Sequence, residues 1–136
     1  MYTSGRYLVQ FDSYTKRHYI KNIAKRYSDR QWQATRKSIE FVLEHIEKHI
    51  LTDKAETIHV SDACRIIKLY FKIAGTKDSA KRSSNRAVVF LNDKLCVARV
   101  LLIYSKEEIC DPNETARWQK IVDDQFPEIM RKFSSR

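Results

Sequence analysis

Glycine is nearly absent, with two in 136 residues. A glycine-rich phosphate cradle is therefore excluded, and neither GxxxxGK[ST] nor GxGxxG occurs. No GxSxG turn is present to lift a serine nucleophile. The three cysteines, Cys64, Cys96 and Cys110, are odd in number, far apart and outside CxxC spacing. That argues against a zinc site or a secreted disulfide framework. His45 and His49 have i, i+4 spacing, but no HExxH motif and no third ligand accompany them, so no metal and no cofactor is expected. No apolar run approaches the ~20 residues that cross a bilayer. The opening residues lead into a strand-like run without an apolar leader, which together with reduced cysteines predicts a cytoplasmic protein with no membrane partner.

Positive charge is abundant: 26 Lys and Arg stand against 17 Asp and Glu, for a net +9. Such a balance favours a polyanion or an acidic protein as partner. Hydrophobic residues make up 43%, enough for one core, and the length fits a single domain over residues 1–136.

Residues 6–11 read as a short strand. Asp12 or Ser13 then caps a helix to about Tyr27, whose Ile20, Ile23, Ala24 and Tyr27 follow the period of one buried face. Ser28 or Asp29 opens a second helix with Trp32, Ile39, Leu43, Ile46 and Ile50 on its apolar side, and the short link predicts a helical hairpin. Residues 51–64 read as an irregular connection. Three strand-like runs follow, at 65–73, 86–91 and 96–106. In the first, Ile67, Leu69, Phe71 and Ile73 alternate with Lys68, Tyr70 and Lys72. Asn92-Asp93-Lys94 predicts a hairpin between the second and third. Asp111-Pro112-Asn113-Glu114 gives the last helix an N-cap, a proline at N1 and an acid at N3, and Pro127 breaks or bends it. The order β-α-α-β-β-β-α predicts an α+β fold, a mainly antiparallel sheet with helices on one face.

Residues 65–86 hold seven basic residues (Arg65, Lys68, Lys72, Lys77, Lys81, Arg82, Arg86) and one acid, Asp78. Lys68, Tyr70 and Lys72 share one strand face, and Tyr104 and Lys106 share a face of the last strand. Cations for phosphates beside a ring for a base suit RNA. The phosphate footprint is expected there, with Lys16, Arg17 and Lys21 of the first helix mattering less. The bland alternative is a solvated loop and a strand end whose lysine snorkels.

The stretch Lys81-Arg82-Ser83-Ser84-Asn85-Arg86-Ala87-Val88-Val89-Phe90, followed by Val100-Leu101-Leu102-Ile103-Tyr104-Ser105-Lys106, resembles the core of RelE/ParE toxins of type II toxin–antitoxin systems, especially the HigB-like branch. The resemblance implies a metal-independent endoribonuclease that cuts mRNA on the ribosome, inhibits translation and is neutralised by a cognate antitoxin. It implies that Lys81 or Arg82 and Arg86 hold the phosphate, that Lys106 is a base, and that Tyr104 stacks or assists proton transfer. Lys68, Tyr70, Lys72, Lys77 and Arg82 would bind RNA. One departure is that all four histidines (His18, His45, His49, His59) precede the basic region, so no late histidine serves as an acid–base group. The alternative is a non-enzymatic binder, either a ParE-like gyrase inhibitor or a degenerate toxin that only binds RNA or a partner.

Overall fold

The computed structural model describes residues 6–50, 52, 54–77, 83, 85–105 and 114–134. Strand β1 (Leu8–Phe11) leads into a helical segment of three consecutive parts: α1 (Ser13–Thr15), a π-helical stretch (Lys16–Ile20) and α2 (Lys21–Arg26). Asp12 caps it by accepting from the Tyr14 N–H at 2.9 Å. Ser28 opens α3 (Asp29–Glu44) with a reciprocal cap: Gln31 N donates to Ser28 Oγ at 3.0 Å, and Ser28 N donates to Gln31 Oε1 at 3.1 Å. The helix breaks at His45 and resumes as α4 (Ile46–His49). Strands β2 (Ala55–Ser61), β3 (Cys64–Phe71), β4 (Asn85–Asn92) and β5 (Val97–Ser105) follow. Two helices, α5 (Glu114–Gln125) and α6 (Pro127–Ser134), end the described chain, with the break at Phe126, just before Pro127.

The five strands form one mixed sheet in the order β1-β5-β4-β3-β2. All neighbours are antiparallel except β1, which runs parallel to β5. Two expectations are corrected. Residues 51–64 are not an irregular connection, because Ala55–Ser61 pair with β3. As an edge strand, β2 buries little, and its Glu56, Thr57 and Val60 are exposed, so it lacks the apolar alternation of an inner strand. Helices also cover both faces rather than one. Trp32, Ile39, Leu43 and Ile46 pack with Ile67, Leu69, Val89 and Val100 on the first face. Trp118, Val122, Phe126 and Ile129 pack with Ile66, Val88, Phe90 and Leu102 on the second.

A bulge in β5 decides what reaches that second face. The register jumps from Val88↔Leu102 to Val89↔Val100, leaving Leu101 as the extra residue. Both Leu101 and Leu102 therefore join the α5 side, and the residues beyond change phase, since side chains alternate with a period of two. Tyr104 is thereby set opposite Arg86. The Thr15 hydroxyl donates to the Val100 carbonyl at 2.9 Å and contacts that of Leu101, holding the bulge in place.

Leu43 is fully buried, so Leu43→Ala should cost about 2–5 kcal/mol. Denaturant unfolding measures this; a loss under about 0.5 kcal/mol would mean that the site does not pack as described. At the other end of the sheet from Arg86, Tyr7 donates to Asp93 Oδ1 at 2.6 Å, and Arg65 grips Asp93 at 2.7 and 2.9 Å. Burial and the Asp93 bond push the Tyr7 phenol above its ordinary 10.0, and Tyr70 and Tyr104 are raised as well. The unfolded chain loses these protons near pH 10 while the folded chain keeps them. Stability from these groups is therefore fully present below about pH 10 and declines as pH rises past it. Unfolding curves at about pH 8 and about pH 11 should show the drop, and equal stability at both would refute it.

Candidate functional site

Lys68 and Tyr70 of β3, Arg86 of β4 and Tyr104 of β5 converge at one end of the second face, because the register sets Tyr70 beside Arg86 and Arg86 beside Tyr104. The Arg86 guanidinium stacks on the Tyr70 ring, 4.5 Å from its centroid. Its Nη1 donates to the carbonyls of Ser83 (2.6 Å) and Asn85 (3.0 Å), tying the start of β4 to the end of the preceding loop. Glu114, the first residue of α5, closes the cluster. Its Oε2 accepts from the Tyr104 hydroxyl at 2.6 Å, and lies 3.7 Å from Lys68 Nζ and 4.0 Å from Arg86 Nε. Glu56 of β2 forms the rim, accepting from the Tyr70 hydroxyl at 2.7 Å and lying 3.9 Å from Lys68 Nζ.

The sequence suggests an open cationic face, yet Lys68 and Arg86 are only 8% and 6% exposed. Two carboxylates offset their charge. Arg86 Nε is buried and has no hydrogen-bond partner among the described residues. A buried guanidinium N–H without an acceptor is costly to the free protein and is suited to an incoming anionic oxygen. Burial, followed by the hydrogen bond to Glu114, pushes the Tyr104 phenol up. Burial and the Glu56 bond push Tyr70 up to about 12. Near neutral pH both phenols keep their protons and can only donate them.

Lys72 and Lys77 are exposed at and beyond the end of β3. Lys72 and Tyr70 also line a pocket of about 260 Å³ between α3 and the β3 edge. Gly75 makes the turn there at φ 87, a region that side-chain-bearing residues rarely adopt. Lys81, Arg82 and Lys106 lie outside the described residues, as does Asp111-Pro112-Asn113. Much of the solvent-facing charge lies on the N-terminal helices, where Lys16, Arg17, Lys21, Lys25, Arg26, Arg30, Arg36 and Lys37 are all exposed. Among the described residues no group of His, Cys, Asp and Glu is placed to hold a metal, and no helix is long and apolar enough to cross a membrane.

Sequence reasoning missed both carboxylates. In the sequence Glu114 reads as the N3 acid of a capping pattern and is explained by that role alone, since an acid in the first turn suits the helix dipole. Glu56 lies in the segment read as irregular.

No protein-family model and no curated protein matches the sequence. In fold, the chain is similar to a chain of the crystal structure of the archaeal RelE-RelB complex from Pyrococcus horikoshii OT3. The likeness has a TM-score of 0.51 at 9% sequence identity, and covers 74% of this chain and 96% of that one. This chain thus has a RelE-like α+β fold, built on a five-stranded mixed sheet with helices on both faces.

Proposed function

We propose that the chain is the toxin of a toxin–antitoxin pair, of the HigB-like branch, and that it is a metal-independent endoribonuclease cutting mRNA on the ribosome. One observation carries the reading. On a RelE-like sheet, three strands bring Lys68, Tyr70, Arg86 and Tyr104 together around a buried guanidinium N–H that has no hydrogen-bond acceptor among the described residues. In the proposed reaction the ribose 2′-hydroxyl attacks the adjacent phosphate, whose equatorial oxygens gain charge in the transition state. Arg86 and Lys68 supply cations for that charge. Tyr70 offers a ring for a base, and Lys72 and Lys77 extend the phosphate contacts, with Lys81, Arg82 and Lys106 continuing the footprint. The partner is an antitoxin, a reading supported by the matched structure being that of a RelE-RelB complex.

The balance of Lys68 and Arg86 by Glu56 and Glu114 favours a second reading, a non-enzymatic binder acting on gyrase or on RNA. Induced expression of the chain separates the two. The nuclease reading expects translation to stop while plasmid supercoiling stays normal, with purified translating ribosomes losing mRNA integrity when the purified chain is added. Lost supercoiling with intact mRNA would establish the binder instead.

A further inference from the structure

We propose that Glu114 is the general base of this reaction, the group that takes the proton from the attacking 2′-hydroxyl. The inference rests on the nuclease reading above and assigns to a described carboxylate the role that resemblance gives to Lys106.

The cluster holds few groups able to accept a proton. Tyr70 and Tyr104 keep theirs near neutral pH. The Arg86 guanidinium does not deprotonate in proteins. Lys68 is a cation between two carboxylates, 3.7 Å from Glu114 and 3.9 Å from Glu56. Glu56 stands at the rim, its side chain 53% exposed and engaged by Tyr70. Glu114 is at the centre, beside the cations that would hold the phosphate.

That placement answers the main objection to a carboxylate base, its repulsion of the phosphodiester. Lys68 and Arg86 lie against the carboxylate and offset both anions, as close cations do in a partly desolvated site. The contacts among the described residues fall on Oε2, so Oε1 is the oxygen we assign to the incoming hydroxyl. Tyr104, fully buried, donates at 2.6 Å and fixes the carboxylate plane; it is a positioning residue. Glu114 is 7% exposed, so the ribose enters past the rim once the exposed Tyr70–Glu56 hydrogen bond opens.

The step balances within these groups. Glu114 takes the 2′-hydroxyl proton as the O2′–P bond forms and the P–O5′ bond breaks. The departing O5′ takes a proton from the Lys68 ammonium. Lys68 then regains a proton from the Glu114 carboxylic acid, restoring both charges. The products are a 2′,3′-cyclic phosphate and a free 5′-hydroxyl.

The test uses the full chain and Glu114→Gln on translating ribosomes, with a transcript of ordinary RNA for cleavage and its 2′-O-methyl version for binding. Glu114→Gln should bind the methylated complex within about twofold of wild type and cut the ordinary one about 10²–10⁴-fold more slowly, the usual contribution of a positioned base. The acid limb of the wild-type pH–rate profile should vanish in the residual activity. Cleavage at the wild-type rate or faster, with tighter binding, would overturn the proposal and leave Glu114 a counter-ion only. If melting shows that Glu114→Gln does not fold, Glu114→Asp decides. It keeps the charge at the helix start but withdraws the carboxylate by one methylene, and should cut at least about tenfold more slowly; an unchanged rate overturns the proposal. A wild type that cuts nothing removes the nuclease reading itself, a result distinct from an active Glu114→Gln.

Discussion

Arg86→Ala should abolish growth arrest and lower mRNA cleavage by at least about 10²–10³, the usual loss when a preorganised donor to developing charge is removed. Arg86 is 6% exposed, and its buried Nε has no hydrogen-bond acceptor among the described residues. The same side chain also has structural work, through Nη1 bonds to Ser83 and Asn85 and stacking on Tyr70. Arg86→Ala should therefore also cost about 1–3 kcal/mol of stability, because those partners lose a buried donor. Arg86→Lys separates the two roles. It keeps the charge but loses the planar fork, so cleavage should fall steeply, by far more than its loss of melting temperature, which should be no larger than that of Arg86→Ala. Full cleavage by Arg86→Lys at wild-type rate would reduce Arg86 to a pin for the loop.

The second large effect is on binding. Ribosome affinity should fall steeply with salt, because each phosphate contact releases counterions and contributes about 0.7–0.9 to the log–log slope. The buried Lys68 and Arg86 supply few such contacts, whereas Lys72 and Lys77 are exposed. The double variant Lys72→Ala, Lys77→Ala should lower the slope by roughly 1.4–1.8 in the same terms. Charge reversal at Arg17, Lys21 and Lys25 should weaken binding at least as much. The sequence alone ranks the first helix below the sheet, but all three of these cations face solvent, outside the neutralised cluster. A salt-independent affinity would mean that no phosphate footprint exists.

Much of the frame was legible in the sequence because strong periodicities carry it. Ile67, Leu69, Phe71 and Ile73 pack on one face as their alternation requires, Ser28 caps α3, and the Asn92-Asp93-Lys94 turn joins β4 to β5. β2 was not legible, since an exposed edge strand containing Glu56, Thr57, His59 and Ser61 has no apolar rhythm. Coverage of both faces was hidden because Ile66 and Val88 alternate with residues of the opposite face, so an inner strand reads as a continuous apolar run. For the site, Lys68, Tyr70, Arg86 and Tyr104 were named from sequence and are brought together. Their carboxylate partners were not, because the contacts of Glu114 with Lys68 and Arg86 span many residues and no local pattern encodes them. The bulge at Leu101 is equally silent, although it decides the face on which Tyr104 stands.

Mapping of mRNA 5′ ends after brief induction of the wild-type chain, with the chemistry of those ends determined, tests the central claim most directly. New ends within translated reading frames, carrying 5′-hydroxyls and paired with upstream 2′,3′-cyclic phosphates, are the expected result. No new ends, or ends bearing 5′-phosphates, would contradict it.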